Sequence, residues 1–333
     1  MTFSSAMCQL LGRRETLACA DHLWIEPPFE PSLAGSGVHV WTTDVAVAER
    51  YRQLGLMVHE GLAPPENMAQ YPGVLLFWPK SMALGQWWLD TLCAALPNGH
   101  RLAAVGEQQG GIKRVPKLLL AMGMAAQKED NARRCALLSA TVVSRPQTED
   151  GWRQFSAKAL TLASHPGVFG HGKLDEGTNM LLDTLPETLH GRALDVGCGS
   201  GIIAAALAAR GLEVTAVDVS HFALEATRRT LALNGVDATV LGSNVLENVA
   251  GRFDVIISNP PFHQAREIDI RPALTLFDQA PDHLVRHGAL FIVANAFLPY
   301  KEPLSAQFSQ LAECAANGRF RVYRAALPHR FAR

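Results

Sequence analysis

Between residues 190 and 295 the chain alternates short apolar runs with longer amphipathic ones. Runs at 192–196, 213–217, 238–241, 253–258 and 289–294 have the length and composition of strands, and the stretches at 201–210, 220–233 and 270–286 read as helices. Strand and helix in regular alternation, with strands apolar on both faces, predict a parallel sheet covered by helices on either side. Ser220 is placed to cap the helix after it. The rhythm breaks near the end. Asn317-Gly318 lies between 311–316 and 319–327, and Asn-Gly is the favoured centre of a two-residue hairpin, so an antiparallel pair is expected to close the sheet.

The polar stretch 144–151, with Pro146 and Gly151, reads as a linker, and 152–164 as a connector packing onto the second domain. This sets two domains, 1–150 and 151–333. The first reads as a worn copy of the second. Tyr71-Pro-Gly-Val-Leu-Leu-Phe-Trp-Pro-Lys80 resembles Gly251-Arg-Phe-Asp-Val-Ile-Ile-Ser-Asn-Pro260, a strand ending in a proline. A helix (84–96; 270–286) and a further strand (101–105; 289–294) come after it in each. Trp78-Pro79-Lys80 stands where the second copy has Asn259-Pro260-Pro261, and residues 1–145 contain no counterpart of the glycine-rich stretch at 197–201. Two unrelated α/β domains are the alternative.

At 333 residues the chain is long for one core and suits two. A formal net charge of -1 excludes a generic polycation, so any contact with nucleic acid must come from local basic patches. Arg319, Arg321, Arg324, Arg330 and Arg333 come after the last acid, Glu313, and Lys113, Arg114, Lys117, Arg133 and Arg134 add sites in the first domain. Together they form a plausible phosphate footprint, although each alone is an ordinary solvated charge. The six cysteines are scattered without a C-x-x-C pair, which argues against a zinc site or a disulfide framework and for a reducing compartment. No signal pattern and no run of ~20 apolar residues is present, so a soluble cytoplasmic protein, without metal and monomeric, is expected.

The candidate chemistry sits at the ends of the predicted strands. Leu194-Asp-Val-Gly-Cys-Gly-Ser-Gly201 leaves a strand and opens a helix, where Gly197, Gly199 and Gly201 allow a sharp turn and close approach of a ligand. Such a turn alone is weak evidence, since tight strand–helix connections need glycine anyway. Two acids strengthen it. Asp195 precedes the glycines, and Asp218, with Val219 next to it, ends the next strand 17 positions after Gly201, where a carboxylate can bond both ribose hydroxyls of a nucleoside. NAD would require G-x-G-x-x-G facing a pyrophosphate, and Asp195 is a poor neighbour for that anion. S-adenosylmethionine (SAM) carries a sulfonium and an ammonium, which acids suit. Asn244 and Val245 end the third strand, at the edge where an adenine would lie; a polar loop is the alternative.

Ser258-Asn-Pro-Pro-Phe-His263 ends the fourth strand, beside the first. Asn259 offers a side-chain carbonyl and Pro260 a backbone one, two acceptors in a stiff corner that can hold both hydrogens of an –NH2 group. Phe262 supplies a flat face for a flipped-out base, worth ~1–3 kcal/mol in stacking. Asp175 and Gly177, before the helix at 180–185, sit where amine methyltransferases place a lid over the methionine part of SAM; a loop and helix cap is the alternative. Asn295-Ala-Phe-Leu-Pro-Tyr300 leaves the fifth strand on the same edge and can line a base pocket.

The motifs L-D-V-G-C-G-S-G, S-N-P-P-F-H, V-A-N-A-F-L-P-Y and G-R-F-R-V-Y-R-A, behind a degenerate first domain, resemble the bacterial small-subunit ribosomal RNA guanine-N2 methyltransferases of the C type. The resemblance is close over 166–327 and loose before it. It implies two tandem class I methyltransferase-like domains, of α/β class and Rossmann-like. The C-terminal one carries a seven-stranded sheet with a terminal antiparallel hairpin, and the N-terminal one has lost SAM binding. It implies SAM as cofactor and a single guanine of 16S rRNA in the assembled small subunit as substrate. Large-subunit rRNA methylation, glutamine or DNA-adenine methylation through the same corner, and a non-catalytic assembly factor are the alternatives.

Overall fold

The computed structural model describes residues 3–13, 21–260, 263–264 and 267–329. The chain divides into two compact units, Met1–Trp152 and Arg153–Arg333. In the first, α1 (Ala6–Leu11) precedes β1 (Leu23–Ile25), β2 (His39–Thr42), α2 (Val45–Gln53), β3 (Val58–Glu60), β4 (Val74–Phe77), α3 (Met82–Ala95), β5 (Arg101–Glu107), α4 (Val115–Ala121) and the hairpin β6 (Gln127–Ala132)–β7 (Cys135–Thr141). The second opens on the hairpin β8 (Arg153–Ala157)–β9 (Leu160–Ser164), then α5 (Glu176–Thr184), β10 (Arg192–Val196), α6 (Ile202–Ala208), β11 (Glu213–Asp218), α7 (His221–Leu233), β12 (Thr239–Gly242) and β13 (Phe253–Ser258). It continues through the two-residue pair β14 (His263–Gln264) and β15 (Glu267–Ile268) to α8 (Arg271–His283), β16 (Leu284–Asn295), α9 (Lys301–Gln307), β17 (Phe308–Ala316) and β18 (Phe320–Pro328).

The two sheets have one topology. Strand order is β3-β2-β1-β4-β5-β7-β6 in the first and β12-β11-β10-β13-β16-β18-β17 in the second, and only β7 and β18 run antiparallel to their neighbours. The worn copy read from residues 71–105 therefore extends to the whole unit, including a closing antiparallel pair that sequence reasoning assigned to the second domain only.

Alternation along the central strands of the second unit divides its core into two layers. Ala193, Val255, Ile257, Phe291 and Val293 face α5 and α6, while Leu194, Ile256, Leu290 and Ile292 face α8 and α9. Burial on both faces explains why these strands read as unbroken apolar runs. The helix expected to reach residue 286 stops at His283, because Leu284 turns extended and pairs with Phe253. The expected connector is the β8–β9 hairpin, held to α7 where the Ala163 N–H donates to Thr230 Oγ1 at 2.9 Å and Asn234 Nδ2 donates to the Thr161 carbonyl at 2.7 Å.

Two local expectations differ in detail. Ser220 stands at the N-cap of α7, but its hydroxyl caps nothing. At the β17–β18 turn neither Asn317 nor Gly318 has a positive φ, as a primed two-residue turn would require. The Asn317 carboxamide instead accepts the N–H groups of Arg319 (2.8 Å) and Phe320 (2.7 Å), so the asparagine opens the turn with its side chain.

Candidate active site

At the carboxyl edge of the second sheet, β10 runs into the glycine turn. The N–H groups of Gly197 and Cys198 both donate to the Val217 carbonyl, at 2.8 and 3.0 Å, and Gly197, Gly199 and Gly201 have φ of +76°, +54° and +78°. The three glycines are not equivalent. A Cβ on Gly201 would lie 2.7 Å from Thr227 Cα, so this position is a backbone-to-helix contact. A Cβ on Gly197 would meet nothing within 4 Å, and one on Gly199 only the Gly197 carbonyl at 3.9 Å. Their side-chain-free faces border open space, as a cofactor cradle requires.

Asp195 is fully buried. One carboxylate oxygen accepts the Ala204 N–H at 3.0 Å, and the other has no partner. Burial, assisted by the nearby Asp218 charge, pushes its carboxyl up to about 7. Asp218 accepts the Gly199 N–H at 3.1 Å through one oxygen and the Ser220 N–H at 2.9 Å through the other. Val219 beside it is half-buried. This donor set fits SAM: a buried carboxylate oxygen lacking a donor, a second acid across the turn, and glycine faces that any side chain would fill.

At the third strand's end, Asn244 Nδ2 donates to Glu247 Oε1 at 2.8 Å, which turns its carbonyl oxygen away from that carboxylate. Val245 has φ +51°, a conformation rare for a β-branched residue, and packs half-buried on the α8-side core.

The corner at Asn259 assembles residues from distant parts of the chain. Ser258 Oγ donates to the Val196 carbonyl at 2.8 Å and ties β13 to the end of β10. Asn259 Nδ2 donates to Asp175 Oδ2 at 3.1 Å and to Thr178 Oγ1 at 2.8 Å. Asp175 is the N-cap of α5, accepting the Thr178 N–H at 3.0 Å. Gly177 is buried here, and a Cβ on it would press on Asp175 Oδ2 at 3.0 Å and on the Phe320 ring at 3.1 Å. Packing of β18 on the first turn of α5 thus accounts for that glycine. Pro260 is buried; Pro261 and Phe262 lie outside the described residues.

Sequence reasoning missed several residues. Thr178 is one. Thr227 and Thr230 are others, both fully buried on α7, with Thr227 Oγ1 donating to Cys198 Sγ (3.1 Å) and the Gly199 carbonyl (3.3 Å), and Thr230 Oγ1 to the Ser200 carbonyl (2.7 Å). The signal was two threonines three apart within the apolar face of that helix. Phe297 is 62% exposed on the loop after β16, whereas Tyr300, expected at the same edge, packs inside against Phe277 with rings 5.1 Å apart. Of the C-terminal arginines, Arg319 pairs with Glu176 and Arg321 with Glu313, while Arg330 and Arg333 lie outside the described residues.

The first unit shows what the same edge becomes without these groups. Between β1 and β2 stands only a three-residue 3-10 turn, Pro31–Leu33, in place of a glycine turn and helix. Glu26 comes directly after β1 with φ +57°, its carboxyl pushed up to about 7 by burial while it accepts the Thr43 N–H at 2.6 Å. Asp44, after β2, caps α2 through the N–H groups of Ala46 and Val47. Trp78 occupies the place of Asn259, its indole 5% exposed. A Cβ on Gly85 would lie 2.3 Å from the Trp78 ring and one on Gly106 2.8 Å from Trp78 Cβ, so these two glycines make room for the tryptophan.

Among the described residues no group of three or more His, Cys, Asp or Glu is placed to hold a metal, and no helix is long and apolar enough to cross a membrane.

Tandem sheets of this order, with an acid-flanked glycine turn on the second, define a SAM-dependent methyltransferase of class I. Residues 159–324 match the Methyltransferase small domain family and 27–155 match Methyltransferase small domain N-terminal. The chain belongs to the ribosomal RNA small subunit methyltransferase C family. The protein of that name from Chromohalobacter salexigens is 49% identical over 330 residues, 98% of each chain. Its counterpart from Yersinia pseudotuberculosis is 38% identical over 86% of this chain and 82% of its own. The T. thermophilus 16S rRNA N2 G1207 methyltransferase, solved in complex with AdoMet and guanosine, is 25% identical with a TM-score of 0.82, over 94% of this chain and 91% of that one.

Proposed function

We propose that this protein methylates the exocyclic N2 of a guanine in 16S rRNA of the small ribosomal subunit, using SAM bound by the second unit. Its relatives' substrate, taken with the Asn259 carboxamide at the strand end beside the glycine turn, supports this reading. We assign Asp195, Gly197, Gly199, Gly201, Asp218 and Val219 to the methionine and ribose parts of the cofactor, and Asn244 and Val245 to its adenine. Asp175 and Gly177 close the same edge from the first turn of α5. When bound, SAM supplies a methyl group made electrophilic by its sulfonium.

The chain's own residues do the rest. A guanine amine is a poor nucleophile because its lone pair is delocalised into the ring. Asn259 accepts one amine hydrogen through its side-chain carbonyl, and Pro260 accepts the other through its backbone carbonyl. Holding both favours the pyramidal nitrogen of the transition state and fixes its direction. Phe262 stacks on the extruded base. The first unit, with Trp78 in its corner, takes no part in the chemistry, and its exposed Lys113, Arg114, Lys117, Arg133 and Arg134 are assigned to the rRNA backbone. The protein works in the cytoplasm, one complete site per chain.

The test is tritiated methyl transfer to small subunits purified from a strain lacking its own enzyme of this family. Label should appear in 16S rRNA as N2-methylguanine and disappear with Asn259→Ala. Label in large-subunit RNA, DNA or protein, with none in 16S rRNA, would overturn the assignment.

A further inference from the structure

The orientation of the Asn259 amide is decided by two residues 81 and 84 positions away in sequence. A carboxamide can point either its NH2 or its C=O in a given direction, and the two faces are opposite in hydrogen-bonding sense. Asp175 removes the choice. A carboxylate oxygen only accepts, so the atom 3.1 Å from Oδ2 must be the amide nitrogen. Thr178 Oγ1 accepts from the same nitrogen at 2.8 Å, and its own hydroxyl faces Asp175 Oδ2 at 3.5 Å. With its NH2 committed to the first turn of α5, the amide turns its carbonyl oxygen away from that helix.

We infer that Asp175 and Thr178 are positioning residues for methyl transfer, setting the flip of the Asn259 amide so that it presents an acceptor to the substrate amine. This rests on the reading of Asn259 as the amine acceptor. In the other flip an NH2 group would face the substrate NH2, donor against donor, and the nucleophile would not be held. Aqueous surroundings would leave both flips open; the buried Thr178 and the capping carboxylate select one. The role differs from a lid over the methionine part of SAM, since the contact falls on the substrate-side asparagine. Pro260 and the glycine turn complete the site without touching this choice.

Variants separate positioning from support. The oxygen of Asp175 that caps α5 is also the one that accepts from Asn259, so an asparagine there would keep both bonds. Asp175→Ser keeps an N-cap, because serine caps about as well as aspartate, but its hydroxyl can donate as well as accept and so tolerates either flip. Thr178→Val keeps the shape and removes the hydroxyl; Thr178→Ser restores it. With tritiated SAM and small subunits as probes, Asp175→Ser and Thr178→Val should each lower kcat by about ten- to a hundredfold, as misplacement of a reacting group does. SAM Kd should stay within about threefold, because the contact lies off the cofactor, and Thr178→Ser should recover most of the rate. The double variant Asn259→Ala/Thr178→Val should be no slower than Asn259→Ala alone, since Thr178 acts only through Asn259. The inference fails if Asn259→Ala is slow while Asp175→Ser and Thr178→Val both run near wild type. It fails equally if Thr178→Val slows the Asn259→Ala enzyme further. Should Asn259→Ala itself run at the wild-type rate, the reading of the corner fails first and takes the inference with it. If Asp175→Ser unfolds, the Thr178 valine and serine pair decides alone.

Discussion

Gly197 and Gly201 share a left-handed backbone but are held there for different reasons, and alanine at each separates cofactor binding from folding. Both substitutions force a Cβ into a conformation that costs roughly 1–2 kcal/mol. At Gly197 nothing else happens, because no atom lies within 4 Å of the added Cβ. At Gly201 the Cβ lies 2.7 Å from the backbone Cα of Thr227, in the middle of α7, which has no flexible end to move. Overpacking of that kind adds ~1–3 kcal/mol. For a unit of this size 1 kcal/mol shifts Tm by about 2–4 °C, so Gly197→Ala should lower it by ~2–8 °C and Gly201→Ala by ~4–20 °C. SAM affinity should behave in the opposite order. The Gly197 methyl stands in the cradle, and each 1.4 kcal/mol of steric cost there is about tenfold in Kd. Calorimetry serves for both measurements. Five of the six tryptophans lie within positions 24–88 and the sixth, Trp152, at the boundary, so tryptophan fluorescence reports mainly the first unit and provides the internal control. The reasoning is refuted if Gly197→Ala binds SAM like wild type, or if Gly201→Ala melts no earlier than Gly197→Ala.

Three further outcomes are expected. Asp195, with its carboxyl raised to about 7, holds a proton in the folded state that the unfolded chain has released, so it stabilises the second unit in acid and loses that contribution as pH rises from about 4 through 7. An ammonium donor to Asp195 would reverse the shift, so SAM affinity should climb toward about tenfold per pH unit between roughly pH 5.5 and 7, then level off, and Asp195→Asn should flatten the profile; equal wild-type Kd at both ends rejects the contact. Asn259→Ala should depress single-turnover rate by about 10²–10³ with SAM Kd nearly unchanged, and a rate within a few-fold of wild type at saturating SAM and RNA would dispose of the amine-holding role. Titration of the full chain with SAM should give one site per chain, weakened by ~1.5–3 kcal/mol in Asp218→Ala; a second site would mean that the first unit still binds cofactor.

The sheet order, the glycine turn and the place of Asn259 at the end of a strand were legible because each is local: apolar runs, a G-x-G-x-G spacing, a proline after a strand. What escaped is relational. Thr178 is an ordinary threonine in sequence, and only folding brings it to Asn259. Asp175 was read as a lid residue over the cofactor because its segment precedes a helix at the right edge; its additional bond to Asn259 could not be seen before the fold brought the two together. The Asn317 turn was misjudged for a similar reason. The dipeptide named a backbone geometry, whereas the side chain formed the turn. Glu26 and Asp44, two acids at the same edge of the first sheet, were invisible as a pair until the common strand order placed them just past the ends of β1 and β2.

The packing under Trp78 couples two positions of the first unit. Gly85 faces the indole, and a Cβ there would sit 2.3 Å from the ring, so position 85 can take a side chain only where the tryptophan is gone. An asparagine at position 78 would in turn leave the space of the indole open above a residue with no side chain to fill it, a cavity of the kind that costs several kcal/mol in a core. The ring and the glycine beneath it are therefore exchanged at least cost together, each substitution alone being either a clash or a void.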